Sequence, residues 1–151
     1  MAEKKFAKNI IIKYREITPE MQKMMSESPV VSTPMLWLDD KVARGAFYTE
    51  CHWLWSMDNA KPWHTERAHT HDFNEVLGFL GSRRENPHDL NAEIELWIED
   101  EKYTITKSCL IFIPGGTKHL PMTFVHIDSP IVFFTAGNGT EYKRAMEEKQ
   151  D

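Results

Sequence analysis

The sequence predicts an all-β domain, a single barrel with small helical pieces at its two ends. Three observations carry this. Short apolar and β-branched runs recur from residue 35 to residue 135. Turn signals rich in Gly, Pro, Asn and Asp separate them, and the clearest runs alternate apolar and polar residues at period two. Many short strands with frequent turns are the pattern of a sandwich or barrel.

Residues 1–17 carry little pattern. Thr18-Pro19-Glu20 reads as a helix start, with Thr as N-cap and Pro at the first helical position. A short helix over 21–26 follows, stopped before Pro29. Residues 28–34, with two prolines, read as loop. Residues 35–38 are a short apolar run interrupted by Asp39-Asp40. Residues 45–55 are aromatic-rich, and Phe47, Cys51, Trp53 and Trp55 share one parity. Residues 59–62 are a turn. Residues 69–80 mix polar and apolar positions at period two, and the polar stretch 82–91 reads as a loop. Residues 93–98 alternate clearly and 103–106 return, a β-hairpin. Residues 110–113 form a strand ended by Pro114-Gly115-Gly116. Strands over 124–127 and 131–135 are split by Asp128-Ser129-Pro130, and Gly137-Asn138-Gly139 breaks the sheet. The tail from Thr140 has a helical look. No internal repeat appears.

The chain has 151 residues, 41% hydrophobic and 11% aromatic, which fits one domain over 1–151 with a barrel core at about 35–137. Its 18 basic and 23 acidic residues leave a formal charge of -5. That balance argues against nucleic acid, whose recognition needs a basic face, and against an acidic membrane surface. No stretch approaches the ~20 apolar residues of a membrane span. The one apolar run near the start, Ile10 to Ile12, is too short for a signal peptide. The expected location is the cytoplasm. Cys51 and Cys109 form no C-x-x-C pair and read as buried small hydrophobes.

The informative stretch is Ala68-His69-Thr70-His71-Asp72-Phe73-Asn74-Glu75. Side chains alternate faces along a strand, so His69 and His71 point the same way. Glu75 shares their parity, and a local turn at Asp72-Phe73-Asn74 still lets it return to that face. Two imidazoles and a carboxylate are ligand types for Zn, Fe, Mn, Ni or Cu. Downstream, Pro114-Gly115-Gly116 makes a tight turn, and His119 begins the next strand, aimed at the interior. The alternative is that these histidines are satisfied core residues.

Together these segments resemble the cupin family. His69-x-His71-x3-Glu75 is similar to its first motif, and Pro114-x-Gly116-x2-His119 to its second. The resemblance covers about 45–135. It implies a double-stranded β-helix, or jelly roll, holding one divalent metal ion (Fe, Mn, Zn or Ni) through His69, His71, Glu75 and His119. Trp63, Ser108 and Thr123 stand where the family has Gly, Gly and Asn, and Gly81 comes one residue early. These are turn and packing positions, and no ligand is lost.

Four protein ligands leave about two positions open on a metal that takes six. Three neutral imidazoles and one carboxylate leave a divalent centre at +1, which suits a carboxylate, an enediol or another enolisable ligand. The expected function is a metal-dependent enzyme acting on a small polar organic molecule. Lyase, isomerase, hydrolase and dioxygenase chemistry all occur in similar cupins, and a non-catalytic metal- or ligand-binding module is the alternative. If the parity of Phe47 and Cys51 faces the core, Glu50 and His52 point outward. With the parity reversed they become acid or base candidates. By the same rule His64, Glu66 and Lys118 face outward; His88 sits in the polar loop and reads as solvated, and His126 reads as a satisfied or interfacial strand residue rather than a ligand. Tyr48 is a further polar neighbour of the motifs. Trp53, Trp55, Trp63, Phe79, Trp97, Phe112, Phe133 and Phe134 are expected mostly in the core, with one or two at the mouth. The loop 82–91, with Arg83 and Arg84, is a lid or a plain connector. Exposed sheet edges favour a homodimer or higher homo-oligomer, to which residues 10–14 could add a strand.

Overall fold

Proline at a helix start lacks only an N–H that would have no partner there. The computed structural model accordingly opens its α-helix, α1 (Pro19–Glu27), at that proline, with the Thr18 hydroxyl accepting from Met21 N at 3.2 Å. Residues 4–65 and 67–139 are described, together with the backbone of Ala145 and Met146. A single 3-10 turn at Ala7–Asn9 precedes the helix.

The strands follow as β1 (Val30–Leu38), β2 (Tyr48–Met57), β3 (Trp63–His64), β4 (His69–Thr70), β5 (Glu75–Gly81) and β6 (Asp89–Ile98). Then come β7 (Glu101–Lys107), β8 (Cys109–Ile113), β9 (His119–Ile127), β10 (Ile131–Gly137) and β11 (Ala145–Met146). They build two antiparallel sheets. One has five strands in the order β1-β2-β10-β5-β8. The other has six, in the order β11-β4-β9-β6-β7, with β3 paired to β9. The crossings between non-consecutive strands are those of a double-stranded β-helix, as expected.

Several boundaries differ from expectation. Residues 30–34 are strand rather than loop. Val30 and Val31 favour extended backbone, and Pro34 is tolerated because β1 lies at a sheet edge. The polar loop is shorter than 82–91, because β6 begins at Asp89 and its core side chains Leu90 and Ala92 are buried. The two-residue strands β3 and β11 carry no sequence period long enough to read. The expected C-terminal helix falls mostly on residues outside the described ones. Ala145 and Met146 pair instead with Thr70 and His69.

The core sits between the sheets. Phe79, Ile113 and Ile131 from the first meet Leu90, Ile94 and Leu96 from the second, all fully buried. Period-two alternation puts the remaining strand positions outside. On the five-stranded sheet the register aligns three outward rows. One runs Trp53, Val132, Leu80; the next Cys51, Phe134, Gly78, Leu110; the third Thr49, Ala136, Val76, Phe112. Most of the aromatics expected in the core lie on outward faces. Phe112, Trp55 and Trp97 are exposed, and Trp53 stacks on Trp55 at 4.9 Å. Phe79 and Phe133 point inward and stack at 5.0 Å.

Candidate metal centre

His69 and His119 are each the first residue of a strand, and they pair across β4 and β9. Their rings lie 4.7 Å apart. His71 follows β4 directly, and Glu75 opens β5 in the other sheet. The turn over 72–74 lets the chain cross between sheets and still bring Glu75 back. Hydrogen bonds lace that turn to the Pro-Gly-Gly turn. Gly116 N donates to His71 O at 2.7 Å, and Gly115 N donates to Asn74 Oδ1 at 2.9 Å. A Cβ on Gly115 would lie 3.0 Å from Asp72 O, so the close approach needs glycine.

All four side chains are buried, and the ligand atoms offered by His69, His71 and His119 lie within 4.8 Å of one another. In each ring Nδ1 faces a backbone carbonyl. The partners are Arg67 O for His69 (3.0 Å), Phe73 O for His71 (2.9 Å) and Thr117 O for His119 (2.9 Å). A carbonyl only accepts, so each Nδ1 carries the proton and Nε2 is left as the ligand atom. The Phe73 ring stacks on His71 at 4.1 Å and 4°, which holds that imidazole in plane.

Glu75 Oε2 lies 3.1 Å from His71 Nε2 and 3.3 Å from His119 Nε2. The second contact is close but not aligned, so His119 Nε2 is a buried polar atom without a hydrogen bond. Such an orphan is costly unless something else meets it. Burial opposes ionisation of Glu75, but His119 and His71 outweigh it and hold the carboxyl down to about 2. Burial likewise opposes a charge on His71, and Glu75, the Phe73 carbonyl and Asp72 together raise its pKa. Three Nε2 atoms with every Nδ1 held by a carbonyl, beside an ionised carboxylate, fit a divalent cation, which would take the place of the proton that His71 Nε2 otherwise shares with Glu75.

The cluster opens into a cavity of about 650 Å³. His69, Glu75 and His119 line it, as do Tyr48, Glu50, His52 and Arg15. The parity that places Phe47 and Cys51 inward is therefore corrected. Phe47 and Trp55 are exposed, while Tyr48 and Leu54 are buried and Glu50 and His52 face the cavity. The physical reason is that β2 packs on both sides. Its outer aromatics find each other, so apolar content alone does not mark the inner face.

Glu50 is the hub of a polar wall. It accepts from His52 Nε2 at 2.7 Å and from the Tyr48 hydroxyl at 3.3 Å, and it pairs with the Arg15 guanidinium. Thr135 Oγ1 donates to Tyr48 at 2.5 Å, and Arg15 lies over the Trp37 ring at 4.2 Å. Burial, and then the Arg15 charge, push His52 down to about 4. Sequence reasoning missed Arg15, which sits in the patternless N-terminal stretch. It also missed Thr135 and Trp37, and no motif signals any of the three.

His64 also lines the cavity, at its rim, rather than facing away, and its Nδ1 meets Thr123 Oγ1 at 2.7 Å. The irregular two-residue strand β3 breaks the parity that the expectation relied on. Glu66 lies outside the described residues. Lys118, His88 and His126 do not line the cavity, as expected. Nor do Arg83 and Arg84. Arg83 bonds Asn91 Oδ1 at 3.1 Å, so the loop over 82–88 is a connector here and not a lid.

No family model matches the chain, and no curated protein does either. Among solved structures, a cupin-2 domain from Rhodospirillum rubrum is 12% identical, with a TM-score of 0.50 over 94% of this chain and 77% of that one. The polyketide cyclase RemF of Streptomyces resistomycificus is 15% identical, with a TM-score of 0.49 over 99% and 89%. A double-stranded β-helix domain from Klebsiella pneumoniae is 11% identical, with a TM-score of 0.47 over 80% and 85%. At such identities the likeness is one of architecture, and that architecture is the cupin fold.

Proposed function

We propose that this cupin-fold protein is a metal-dependent enzyme acting on a small polar organic molecule, with His69, His71, Glu75 and His119 as the ligands of one divalent ion. The observation that carries the reading is the tautomer lock. Three backbone carbonyls hold three Nδ1 protons, leaving three buried Nε2 atoms gathered beside Glu75. Satisfied core histidines have no need to converge in this way.

When bound, the ion supplies Lewis acidity toward a carboxylate or an enolisable carbonyl. The chain supplies the rest. Phe133, Leu77 and Phe124 line an apolar wall that excludes water. Glu50, His52 and Tyr48 form a polar wall on β2, which is two strands from Glu75 across β10. Strand spacing puts that wall about 10 Å away, the span of a small organic molecule. His52 Nε2 donates to Glu50, so its Nδ1 bears the lone pair that can take a proton from a ligand. Arg15 balances the charge of Glu50, which keeps the wall near neutral and the metal side positive.

The same reading places the protein in the cytoplasm, where Cys51 and Cys109, both free, would stay as thiols. No described helix is long and apolar enough to cross a membrane.

The test is metal content after purification without chelators, read by elemental analysis. About one divalent ion per chain is expected, lost in His69→Ala and His119→Ala. Protein that stays metal-free when Fe, Mn, Zn and Ni are supplied in excess would sink the reading. A thermal-shift screen of small carboxylates against the metal-loaded protein then reports binding. Binding without turnover across the hits would favour the non-catalytic module over the enzyme.

A further inference from the structure

Helix α1 buries none of its residues, yet one of its faces is apolar. Met21, Met24 and Met25 stand at i, i+3 and i+4, so they share that face. All three line the cavity, whereas Gln22, Lys23 and Ser26 do not. The apolar stripe of a helix ordinarily covers a core. This one faces the cavity into which His69, His119 and Glu75 open.

The barrel adds aromatic wall to the same cavity. Trp37, Trp63 and Phe133 line it and are only half-buried, so the protein leaves part of each ring uncovered. Away from the histidine cluster, the polar groups of the lining are engaged with one another or with the backbone. Glu50 holds His52, Tyr48 and Arg15, His64 meets Thr123, and Thr65 Oγ1 donates to Met122 O at 3.0 Å. A ligand polar along its whole length would find few partners there, and each polar group buried without one is costly. The volume of about 650 Å³ is that of sites for drug-sized molecules, well beyond the needs of a few atoms.

We infer that the ligand of this cavity has an oxygen-bearing head at the histidine cluster and an apolar, ring-bearing body, packed against the α1 methionines and the half-buried rings of Trp37, Trp63 and Phe133. This narrows the small polar molecule proposed above to one that is polar at a single end. The head rests on the metal reading, whereas the body stands on the cavity lining alone. Methionine suits such a wall. Its unbranched thioether adapts to the shape of a ring, and its sulfur makes favourable contacts with aromatic edges. Helix α1 is thus a specificity wall, selecting the body of the ligand rather than its head.

Calorimetric titration of the metal-loaded protein with acetate, benzoate and 2-naphthoate tests it. Affinity should rise about tenfold with each ring added. Glutamine keeps the length and helix propensity of methionine but is polar. In the double variant Met21→Gln, Met25→Gln, with unchanged far-UV circular dichroism, the preference for 2-naphthoate over acetate should therefore fall about tenfold. Leu110→Gln, on the exposed outer face of its sheet, should keep the full preference. Phenol and 2-naphthol, titrated into metal-stripped protein, separate this inference from the metal reading. Tighter binding of 2-naphthol, lost in the double variant, is expected there even if the protein takes up no ion. A flat carboxylate series in protein holding one ion per chain would overturn the apolar wall and leave the metal reading intact. So would a preference that survives in the folded double variant, or one that falls equally in Leu110→Gln.

Discussion

His52 places the plainest demand on pH. In the native protein burial and Arg15 hold its pKa down to about 4, against 6.5 in an unperturbed chain. Between those values the unfolded chain takes up a proton that the native one refuses. Stability is therefore complete above about pH 6.5 and falls as pH drops toward 4, by up to about 3 kcal/mol. Urea melts at pH 7 and pH 4.5 should show this loss, and His52→Gln should lose less. Equal losses in both proteins would mean that other groups dominate. Glu75 makes a different demand. Glu75→Gln keeps the shape but removes the charge that faces two imidazoles, so metal affinity should drop at least about tenfold in chelator competition. His126→Gln, away from the cavity, should leave it unchanged.

At the scale of elements, the site depends on two turns held together. Gly137 ends β10 beside the Phe73 ring, and a Cβ there would come within 2.5 Å of it. Because Phe73 stacks on His71, Gly137→Ala should disturb that imidazole from a distance. We expect a loss of about 1–3 kcal/mol in denaturant melts, with weakened metal binding besides. A variant with native stability and native affinity would show that the stack is dispensable. Much at this scale is legible in the sequence. Thr18-Pro19 announces α1, the alternation over 93–98 announces β6, and Pro114-Gly115-Gly116 announces the turn before His119. What is not legible is short or two-sided. β3 and β11 have two residues each, less than one full period. β2 carries apolar side chains on both faces, so its parity reads ambiguously and the polar wall of Glu50 and His52 goes unassigned.

At the scale of the molecule, the proposed ligands come from both sheets, Glu75 from one and His69 and His119 from the other, with His71 on the turn that joins β4 to β5. An ion held by all four would tie the sheets together. Adding the metal to stripped protein should raise Tm, and chelation should lower it again, in scanning calorimetry. In His69→Ala the metal should leave Tm unmoved. A Tm indifferent to metal in the unmodified protein would place any bound ion elsewhere.

The sequence alone determined the class of fold and the cluster of histidines with Glu75. Strand period, turn residues and the spacing within each ligand segment are local properties, and the resemblance of two such segments to one family joined His119 to the other three. Only the tertiary structure decided which face of β2 looks inward, that Arg15 reaches the cavity wall, and that one sheet presents an uncharged outer face. Each of these depends on what packs against a strand from far along the chain. A period-two pattern says which residues share a side, but it does not say which side the core is on.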